Sequence, residues 1–595
     1  MKKTFLLPLS LLTVAAGATA APRVPVFSEI SLDGVSNGNF HGNVFVADIN
    51  NDGFNDLVVK GRDLNNGWAT VLKYLKGTQA GLVDGANLPD DGYSWERIVV
   101  PIDYNSDGNI DIILGSSWGS KLLKGDGTGN FELVDGDVFH LDGEINIEEG
   151  DGKSDKEKWY SGLIGVADFN NDGYPDIVTF CGNPRDDQGT PVIFQNNKGT
   201  GEFVKLEDTG LAAQRGGTLT VGDFDRDGLV DIAVAGWSDD EGKQDCITVY
   251  KNKGNFKFTE VGSASFLTAN RGTQNGQIMF ADFNGDGYLD LFVTGESCNQ
   301  GWAYIADVYL CKNGTDFELT SNNLPGVKLS GVDCADINGD GSIDIIYVGE
   351  GTEGVVLALN NGDGTFVANT TAMPTKHRGG ATVHIADINN NNQPDVMVMG
   401  YNDNNTGHFN VYNTFTTRGG VFEAPEAPKD LQMSRDGESA TFSWTADSKY
   451  RYNVYVKLND GRVVTNVPAD PETGKLRQAV IEAALTGNSY TLNVNPDEIS
   501  EWGVQAINGI KLGSTFTKGT LSSGVNNVAE TASVKIAYNN GVLSVNADSA
   551  VEVYAMTGVK LAAFEATAGE GVALDLEAGN YIVRAGASVA KIAVK

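Results

Sequence analysis

The stretch Asp48-Ile-Asn-Asn-Asp-Gly-Phe-Asn-Asp56 lies between two short apolar segments and carries acidic or amide side chains at alternate positions. The pattern Asp-x-Asn/Asp-x-Asp-Gly-x-x-Asp recurs six more times, with starts 51 to 65 residues apart, although the last copy departs from it at two positions. The further copies are residues 103–111, 168–176, 223–231, 282–290, 336–344 and 387–395. A repeat of this length accommodates about four short strands, so each copy predicts one blade of a β-propeller.

Strands are predicted on both sides of each loop. Val44–Ala47 precedes the first loop and Leu57–Val59 follows it, and such short apolar runs suit inner strands covered on both faces. A Gly-rich turn later leads to a Phe in five units: Phe131, Phe203, Phe258, Phe317 and Phe366. The N-terminal Phe27–Ile30 resembles these outer strands, and we expect it to join the seventh unit and close the ring. The predicted fold class is all-β: a seven-bladed propeller followed by two small β-sandwich domains.

Each loop has the donors of a calcium site. Positions 1, 3, 5 and 9 offer side-chain oxygens, position 7 offers a backbone carbonyl, and Gly at position 6 permits the sharp turn. A single loop could be an ordinary Asp/Asn/Gly turn, but seven in register indicate about six to seven structural Ca²⁺ ions. The predicted ligands are Asp48, Asn50, Asp52, Phe54, Asp56, Asp103, Asn105, Asp107, Asn109, Asp111, Asp168, Asn170, Asp172, Tyr174, Asp176, Asp223, Asp225, Asp227, Leu229, Asp231, Asp282, Asn284, Asp286, Tyr288, Asp290, Asp336, Asn338, Asp340, Ser342, Asp344, Asp387, Asn389, Asn391 and Asp395.

Two loops differ from the others. The seventh has Asn391 in place of Asp and Asn392 in place of Gly, so we expect weaker or absent binding there. The fourth has Asp225 where the others have Asn, and we expect it to bind at least as well. These repeats resemble the FG-GAP/VCBS family, the calcium-loop propeller of integrin α-subunits and of many bacterial surface proteins. The resemblance covers about residues 24–424 and implies that the loops stabilise the blades without contacting the ligand.

The N-terminus and the composition bear on localisation. Lys2 and Lys3 precede an apolar run of about a dozen residues and the small-x-small site Ala18–Ala20, which predicts a signal peptide at residues 1–20. No later apolar run reaches about 18 residues, so no transmembrane segment is expected. The net charge of −35 argues against nucleic acid as a partner. Of the five Cys residues, Cys298 and Cys311 are placed so that they could pair.

Two β domains are expected after the propeller. Residues 425–523 resemble a fibronectin type III domain with Trp444 as its core Trp, although Trp502 stands where the family usually has Tyr. Residues 527–595 resemble the C-terminal sorting domain of the bacterial type IX secretion system, on the segments 551–558, 576–584 and 591–595. This implies export across a Gram-negative outer membrane by that machinery, removal of the domain, and secretion or surface attachment. The alternative is another small sandwich domain.

A ligand face is predicted opposite the calcium loops, because the residues just before each inner strand lie together there. The candidates for ligand binding are Trp95, Arg97, Trp159, Tyr160, Arg215, Arg271 and Arg378. Connections between the second and third strands add Trp68, Trp118, Trp237 and Trp302. Aromatic rings stack on sugars and Arg forks grip carboxylates, so a glycan, including an acidic one, is the predicted ligand. The alternative is that Trp packs the blade tops and Arg pairs with loop acids.

Three functions remain open from the sequence. No nucleophile elbow, P-loop or HExxH motif is present, and five His leave few general bases, which favours a binding module over an enzyme. The first alternative is an adhesin that binds surface proteins. The second is a propeller-type polysaccharide lyase or hydrolase that uses Asp, Glu or Arg.

Overall fold

A computed structural model describes residues 24–29, 32, 40–63, 69–89, 98–115, 121–134, 158–182, 189–212, 215–237, 245–262, 273, 275–297, 300–352, 354–373, 379–401, 407–415, 422–478, 484–521, 536–539, 542–556, 558–585 and 588–594. The predicted signal peptide lies outside these residues.

Seven four-stranded antiparallel sheets form the first part of the chain. Their strands are β1 (Val26–Glu29), β2 (Phe40–Ala47), β3 (Asp56–Asp63), β4 (Ala69–Thr78), β5 (Gly81–Asp84), β6 (Ile98–Ile102), β7 (Asp111–Gly115), β8 (Lys121–Gly125), β9 (Phe131–Leu133), β10 (Lys158–Ala167), β11 (Asp176–Gly182), β12 (Gly189–Asn196), β13 (Phe203–Leu206), β14 (Arg215–Gly222), β15 (Asp231–Trp237), β16 (Asp245–Asn252), β17 (Phe258–Val261), β18 (Ile278–Ala281), β19 (Asp290–Ser297), β20 (Ala303–Cys311), β21 (Phe317–Leu319), β22 (Lys328–Ala335), β23 (Asp344–Glu350), β24 (Val356–Asn360), β25 (Phe366–Asn369), β26 (Gly379–Ala386), β27 (Asp395–Tyr401) and β28 (Gly407–Phe415).

The sheets are the blades of a closed ring. Strands β2 to β25 supply six blades of four consecutive strands each, and the seventh has the order β1-β28-β27-β26. The inner strands β2, β6, β10, β14, β18, β22 and β26 contact one another in succession, and β26 contacts β2. Across that junction Thr382 Oγ1 donates to the Gly42 carbonyl at 2.9 Å. The predicted seven-bladed propeller is confirmed, and so is its closure by the N-terminal strand.

The core lies between neighbouring blades. In one such cluster Ile232 and Val234 of the fourth blade pack with Phe169 and Val178 of the third. Phe258 leads the outer strand β17 and meets the Phe169 ring edge-on, with centroids 5.8 Å apart. The other predicted Phe residues also begin outer strands, at β9, β13, β21 and β25. Each blade is therefore held by apolar contact with its neighbours, as the short apolar runs within the second strands require.

A sandwich domain follows the ring. Its strands are β29 (Lys429–Asp436), β30 (Ser439–Thr445), β31 (Arg451–Leu458), β32 (Val463–Thr465), β33 (Ser489–Leu492), β34 (Ile499–Ile507) and β35 (Thr517–Lys518), with a 3₁₀ turn at Pro496–Glu498. They form the sheets β29-β30-β33 and β32-β31-β34-β35. Trp444 is buried in the second strand, 5.4 Å from the Tyr452 ring, which confirms its predicted place in the core. The fibronectin type III assignment itself stays a prediction.

The chain divides into two compact units. Residues 1–432 and 438–520 form the first, which contains the ring and most of the sandwich, and residues 433–437 and 521–595 form the second. The later strands are β36 (Ile536–Asn539), β37 (Val542–Val545), β38 (Ser549–Ala555), β39 (Lys560–Ala566), β40 (Gly571–Ala573), β41 (Gly579–Ala585) and β42 (Ser588–Val594). They make the sheets β36-β37-β40 and β39-β38-β41-β42 around Val551, Val553 and Val583.

Two further expectations concern cysteine pairing and membrane spans. Cys311 is a free, buried thiol in β20, and burial raises its pKa to about 12. The pairing of Cys298 with Cys311 that the sequence allowed is therefore wrong, although Cys298 itself lies outside the described residues. Within the described part of the chain, no helix has the length and hydropathy of a membrane span.

Candidate functional site

Each calcium-type loop joins the first and second strands of its blade. Position 1 follows the inner strand directly, and position 9 is the first residue of the next strand. In the first loop Asp48 Oδ1 accepts the Asp52 N–H at 3.1 Å and Asp48 Oδ2 accepts the Gly53 N–H at 2.9 Å. The corresponding bonds recur in the other loops, with Asp282 accepting from Gly285 and Gly287 in the fifth. The first carboxylate therefore gathers the turn around its two oxygens.

The ninth position has a structural role that the sequence analysis did not foresee. Asp231 Oδ2 accepts the Phe224 N–H at 3.1 Å, and its Oδ1 accepts the Asn252 N–H of the third strand at 2.8 Å. The ninth Asp is fully buried in all seven loops. Asp395 in the seventh blade keeps only the first of these bonds, to the Ile388 N–H at 2.9 Å, and its Oδ1 has no hydrogen-bond partner. The ninth carboxylate thus ties loop, second strand and third strand together.

Without a bound cation, the ionised form of the loop carboxylates is disfavoured. Burial, followed by the neighbouring carboxylates, raises the pKa of Asp111 to about 9 and the pKa values of Asp168 and Asp290 to about 8. A bound cation would counteract both causes. In the fourth loop one oxygen each of Asp223, Asp225 and Asp227 lies within 4.8 Å of the other two. A set of carboxylate, amide and carbonyl oxygens fits a hard cation such as Ca²⁺.

In loops one, two and four, as far as the structure describes them, a lysine of the third strand lies beside a loop carboxylate. Lys76 Nζ lies 2.9 Å from Asp52 Oδ2, and Lys124 Nζ lies 3.9 Å from Asp107 Oδ2. In the fourth blade Lys251 Nζ lies 2.9 Å from Asp227 Oδ2 and also contacts Asp225. All three lysines occupy the same place in the third strand of their blade. An ammonium group there competes with a metal ion for the same carboxylate oxygens. The sequence-based expectation that the fourth loop binds Ca²⁺ at least as well as the others did not include this competition.

The seventh loop keeps the turn despite its substitutions. Asn392 adopts a φ of 60°, in the left-handed region where the other loops have Gly. Its N–H still donates to Asp387 Oδ2 at 2.8 Å. The predicted strained Asn is therefore present. We still expect weaker Ca²⁺ binding in the seventh loop, because it has at least one carboxylate fewer than every other loop.

The sandwich domain covers the loop face of the ring. The following contacts join it to loops one to seven in turn: Asp48 N–H to Arg477 O at 2.7 Å, Val463 N–H to Ser106 O at 3.0 Å, Asn493 N–H to Asn171 O at 2.6 Å, Thr486 Oγ1 to Asp223 O at 3.1 Å, Arg451 Nη2 to Asp282 Oδ2 at 3.8 Å, Asp336 N–H to Gly509 O at 2.9 Å and Lys475 Nζ to Asn390 Oδ1 at 2.7 Å. Every loop thus meets the sandwich.

A buried ion pair joins the sandwich to the inner strands. Lys511 Nζ lies 2.8 and 2.9 Å from the two carboxylate oxygens of Asp333 in β22. Asp333 also accepts the N–H of Ile385 in β26 at 2.7 Å, and His384 Nδ1 is 3.9 Å away. A cavity of about 380 Å³, lined by inner-strand residues, is bounded on the sandwich side by Val463–Pro468. The sandwich therefore closes the loop end of the ring.

The predicted ligand face lies at the opposite ends of the inner strands. Trp159 and Tyr160 lie near the start of β10 and Arg215 begins β14, so their backbones stand at the end away from the loops. Their side chains are outside the description, as are Trp95, Arg97, Arg271 and Arg378 entirely. The clustering of these seven residues stays a prediction. On the described part of this face Trp302 is 57% exposed and Tyr304 is 36% exposed.

Comparison with known proteins identifies the repeat. The profile of the FG-GAP-like repeat matches residues 103–179, 168–234, 223–293 and 336–398, stretches that contain loops two to seven. Cartilage acidic protein 1 of Xenopus tropicalis is 28% identical over 195 residues, which is 31% of this chain and 28% of that protein. The chain therefore spans less than a third of the length of this relative. It carries FG-GAP-like repeats, as the loop spacing predicted.

Two solved structures are similar to part of this chain at low sequence identity. An Agrocybe aegerita lectin, described as recognising non-reducing terminal N-acetylglucosamine, is 21% identical with a TM-score of 0.40, and the match covers 64% of this chain and 96% of the lectin. An ulvan lyase of polysaccharide lyase family PL25 is 11% identical with a TM-score of 0.36, over 64% of this chain and 97% of the lyase.

Proposed function

We propose that this protein is a calcium-stabilised propeller that binds a glycan with the ring face opposite the loops. The observation that carries the proposal is the sandwich domain, which contacts all seven loops and so occupies the loop face. A large partner must then approach the other face. That face has exposed aromatic side chains at Trp302 and Tyr304, and sugar rings stack on such surfaces.

The proposed calcium ions act on the structure and not on the ligand. The side-chain oxygens at positions 1, 3, 5 and 9, with the carbonyl at position 7, are the groups that would hold each ion. An ion there would neutralise buried carboxylates and rigidify the loops on which the sandwich rests. We expect the strongest sites in loops three and six, where no ion pair between a Lys or Arg side chain and a loop carboxylate is found among the described residues; in loop five, Arg451 Nη2 lies 3.8 Å from Asp282 Oδ2.

Calcium binding is tested by thermal melting of the whole chain in EDTA, in Ca²⁺ and in Mg²⁺. A free Ca²⁺ concentration about one hundred times Kd adds about 2.7 kcal/mol per site. We expect a large rise in Tm with Ca²⁺ and a small one with Mg²⁺, which prefers a stricter octahedral geometry. A Tm that does not respond to Ca²⁺, with no metal found by elemental analysis, would remove the ion from the proposal.

Glycan binding is tested on an array that carries neutral glycans, acidic glycans and extracellular proteins. The calcium-loaded chain should be retained by a subset of the glycans and released by the matching free sugar. Retention on proteins alone, unchanged after their deglycosylation, would favour the adhesin. Shortening of a retained polysaccharide with a new ultraviolet-absorbing end would favour a lyase.

We also propose that the chain reaches the cell surface through its C-terminal unit. That unit has two small antiparallel sheets of its own, and a compact, separable module is what a cleavable export signal requires. The test compares the culture fractions of a Gram-negative host with a type IX system that expresses the full chain or a chain ending at residue 523. We expect the shortened chain to stay in the periplasm. Its normal appearance outside the cell would contradict the proposal.

A further inference from the structure

Trp302 is held in an unusual backbone conformation in the connection between β19 and β20. Its φ is +66°, a region that bulky side chains rarely adopt, and its N–H donates to the Ser297 carbonyl at 2.8 Å. More than half of its surface is exposed. A large ring kept in solvent by a strained backbone has no packing role to explain it, and such strain is concentrated at functional sites.

A network of polar side chains surrounds the neighbouring aromatic residue. Tyr304 lies opposite Glu296 in the β19–β20 pairing, and the Lys328 ammonium is 5.0 Å from the Tyr304 ring centroid. Glu296 accepts from Lys328 Nζ at 3.0 Å and from Asn275 Nδ2 at 2.8 Å. The Tyr304 hydroxyl donates to Glu350 Oε1 at 3.3 Å. Lys328 and Glu350 both belong to the sixth blade, so they hold the Tyr304 ring across the junction between the fifth and sixth blades.

The backbone beside this network is also unusual. Leu329 has a φ of +48° and its N–H donates to the carbonyl of Asn275, which has a φ of +57°, at 2.6 Å. Leu329 is 38% exposed. Among the described residues, this end of the fifth and sixth blades therefore has three exposed apolar side chains, two carboxylates and one ammonium. The cores of protein–protein interfaces are depleted in charge, whereas sugars need an apolar platform with hydroxyl-binding groups at its border.

We propose that Trp302, Tyr304, Lys328, Glu296 and Glu350 form a subsite for one neutral pyranose unit. The apolar face of the sugar would stack on the aromatic rings, and its hydroxyls would bond to Glu350 and Lys328. Among the described residues of this subsite, the two carboxylates outnumber the one ammonium, and Lys328 is already paired with Glu296, so a carboxylated or sulfated sugar is disfavoured here. This inference rests on the proposed glycan-binding function and narrows it to a place and a sugar class.

The test uses Trp302→Asn in the full, calcium-loaded chain, because Asn tolerates the left-handed conformation and should not disturb the turn. Val367→Ala is the matched control, since Val367 is an exposed apolar residue of the outer strand β25. Both variants and the wild type are applied to an array of neutral and acidic oligosaccharides. We expect the affinity for neutral glycans to fall at least about tenfold in Trp302→Asn and not at all in the control.

A second measurement does not depend on the array. The chain is labelled with 5-fluorotryptophan, the Trp302 signal is identified by its loss in Trp302→Asn, and methyl glycosides of glucose, galactose, mannose and N-acetylglucosamine are added at millimolar concentration. A selective shift of the Trp302 signal with a neutral glycoside supports the subsite. Glycan retention that Trp302→Asn leaves unchanged would overturn the subsite and leave the proposed function standing. No glycan retention by the wild type, with no shift of the Trp302 signal, would overturn both.

Discussion

The buried carboxylate at position 9 of a loop also accepts hydrogen bonds from the backbone of its blade, in addition to its predicted place in a metal site. In the fourth blade, Asp231 accepts one N–H from its own loop and one from the third strand. Both donors are buried backbone groups, which must be satisfied within the protein. The residue would therefore be required in this fold even without a metal ion.

We predict that Asp231→Asn destabilises the ring by about 1–3 kcal/mol in EDTA, because the amide NH₂ replaces one of the two acceptors and faces an N–H donor. Asp395→Asn is the matched control. Asp395 Oδ1 has no partner to lose, so its amide can be oriented with the donor on that side. The measurement is the shift in Tm of each variant without metal. Equal losses in the two variants would show that the second N–H bond is unimportant.

Lys251 provides a test of competition at a single loop. Replacing it by Met removes the ammonium that contacts Asp225 and Asp227 while keeping a side chain of similar length. We predict that Lys251→Met raises the Ca²⁺ affinity of the fourth loop about tenfold and lowers stability in EDTA, because the carboxylates lose their counter-charge.

Calorimetric titration of Ca²⁺ into the metal-free variant measures this effect. Lys257→Met is the control, since Lys257 lies in the same blade but donates to the Asp208 carbonyl, away from the fourth loop. A weaker Ca²⁺ affinity in Lys251→Met than in the control would mean that the lysine assists the site.

At the scale of elements, the sequence predicted the loops and strands that are encoded by a local, repeated pattern of residues. The Asp-rich loop, the apolar strands around it and the Phe that begins five of the outer strands recur with a repeat of about 55 residues, so their period is visible in the chain. The closing strand was also predictable, because Phe27 carries the same outer-strand signal. Blade number and strand order follow from these features.

The contacts between distant elements were not predictable in this way. The segment with Lys475 and Arg477 has no clear hydrophobic period, and no contact was predicted for it from the sequence. In the structure it contacts the first and seventh loops. Two cations spaced by one residue in a chain of net charge −35 were the available signal. Likewise Glu296 and Lys328 belong to different blades, and only the closed ring brings their side chains together.

The strand β1 makes the closure of the ring testable. It pairs with β28 from Val26–Phe415 to Glu29–Tyr412, and without it β28 would be an exposed edge. We predict that a mature chain starting at residue 31 melts at a lower temperature and self-associates. Size-exclusion chromatography and thermal melting measure both effects, with a chain ending at residue 523 as the control for shortening. A monomer with an unchanged Tm would show that closure does not need this strand.

At the scale of the whole first unit, the sandwich domain covers the loop face of the ring. Its contacts with the loops are mostly single hydrogen bonds to backbone groups, each worth about 0.5–1.5 kcal/mol net. The ion pair between Lys511 and Asp333 is different, because both side chains are almost fully buried. Removing one partner of such a pair is strongly destabilising, since the other is left as a buried charge.

We therefore predict that Lys511→Met costs about 3 kcal/mol, at the lower end of the range for broken buried pairs, because Asp333 keeps the N–H bonds from Ile385 and Cys334. The loss should appear as earlier melting of the sandwich and as faster proteolysis of the 424–429 connection. Lys518→Met is the control, since Lys518 pairs with Glu472 and Glu501 in solvent. If the two variants melt alike, the backbone contacts alone hold the sandwich on the ring. If only Lys511→Met releases it, the pair fixes the sandwich over the loops and thereby leaves the opposite face as the one that binds.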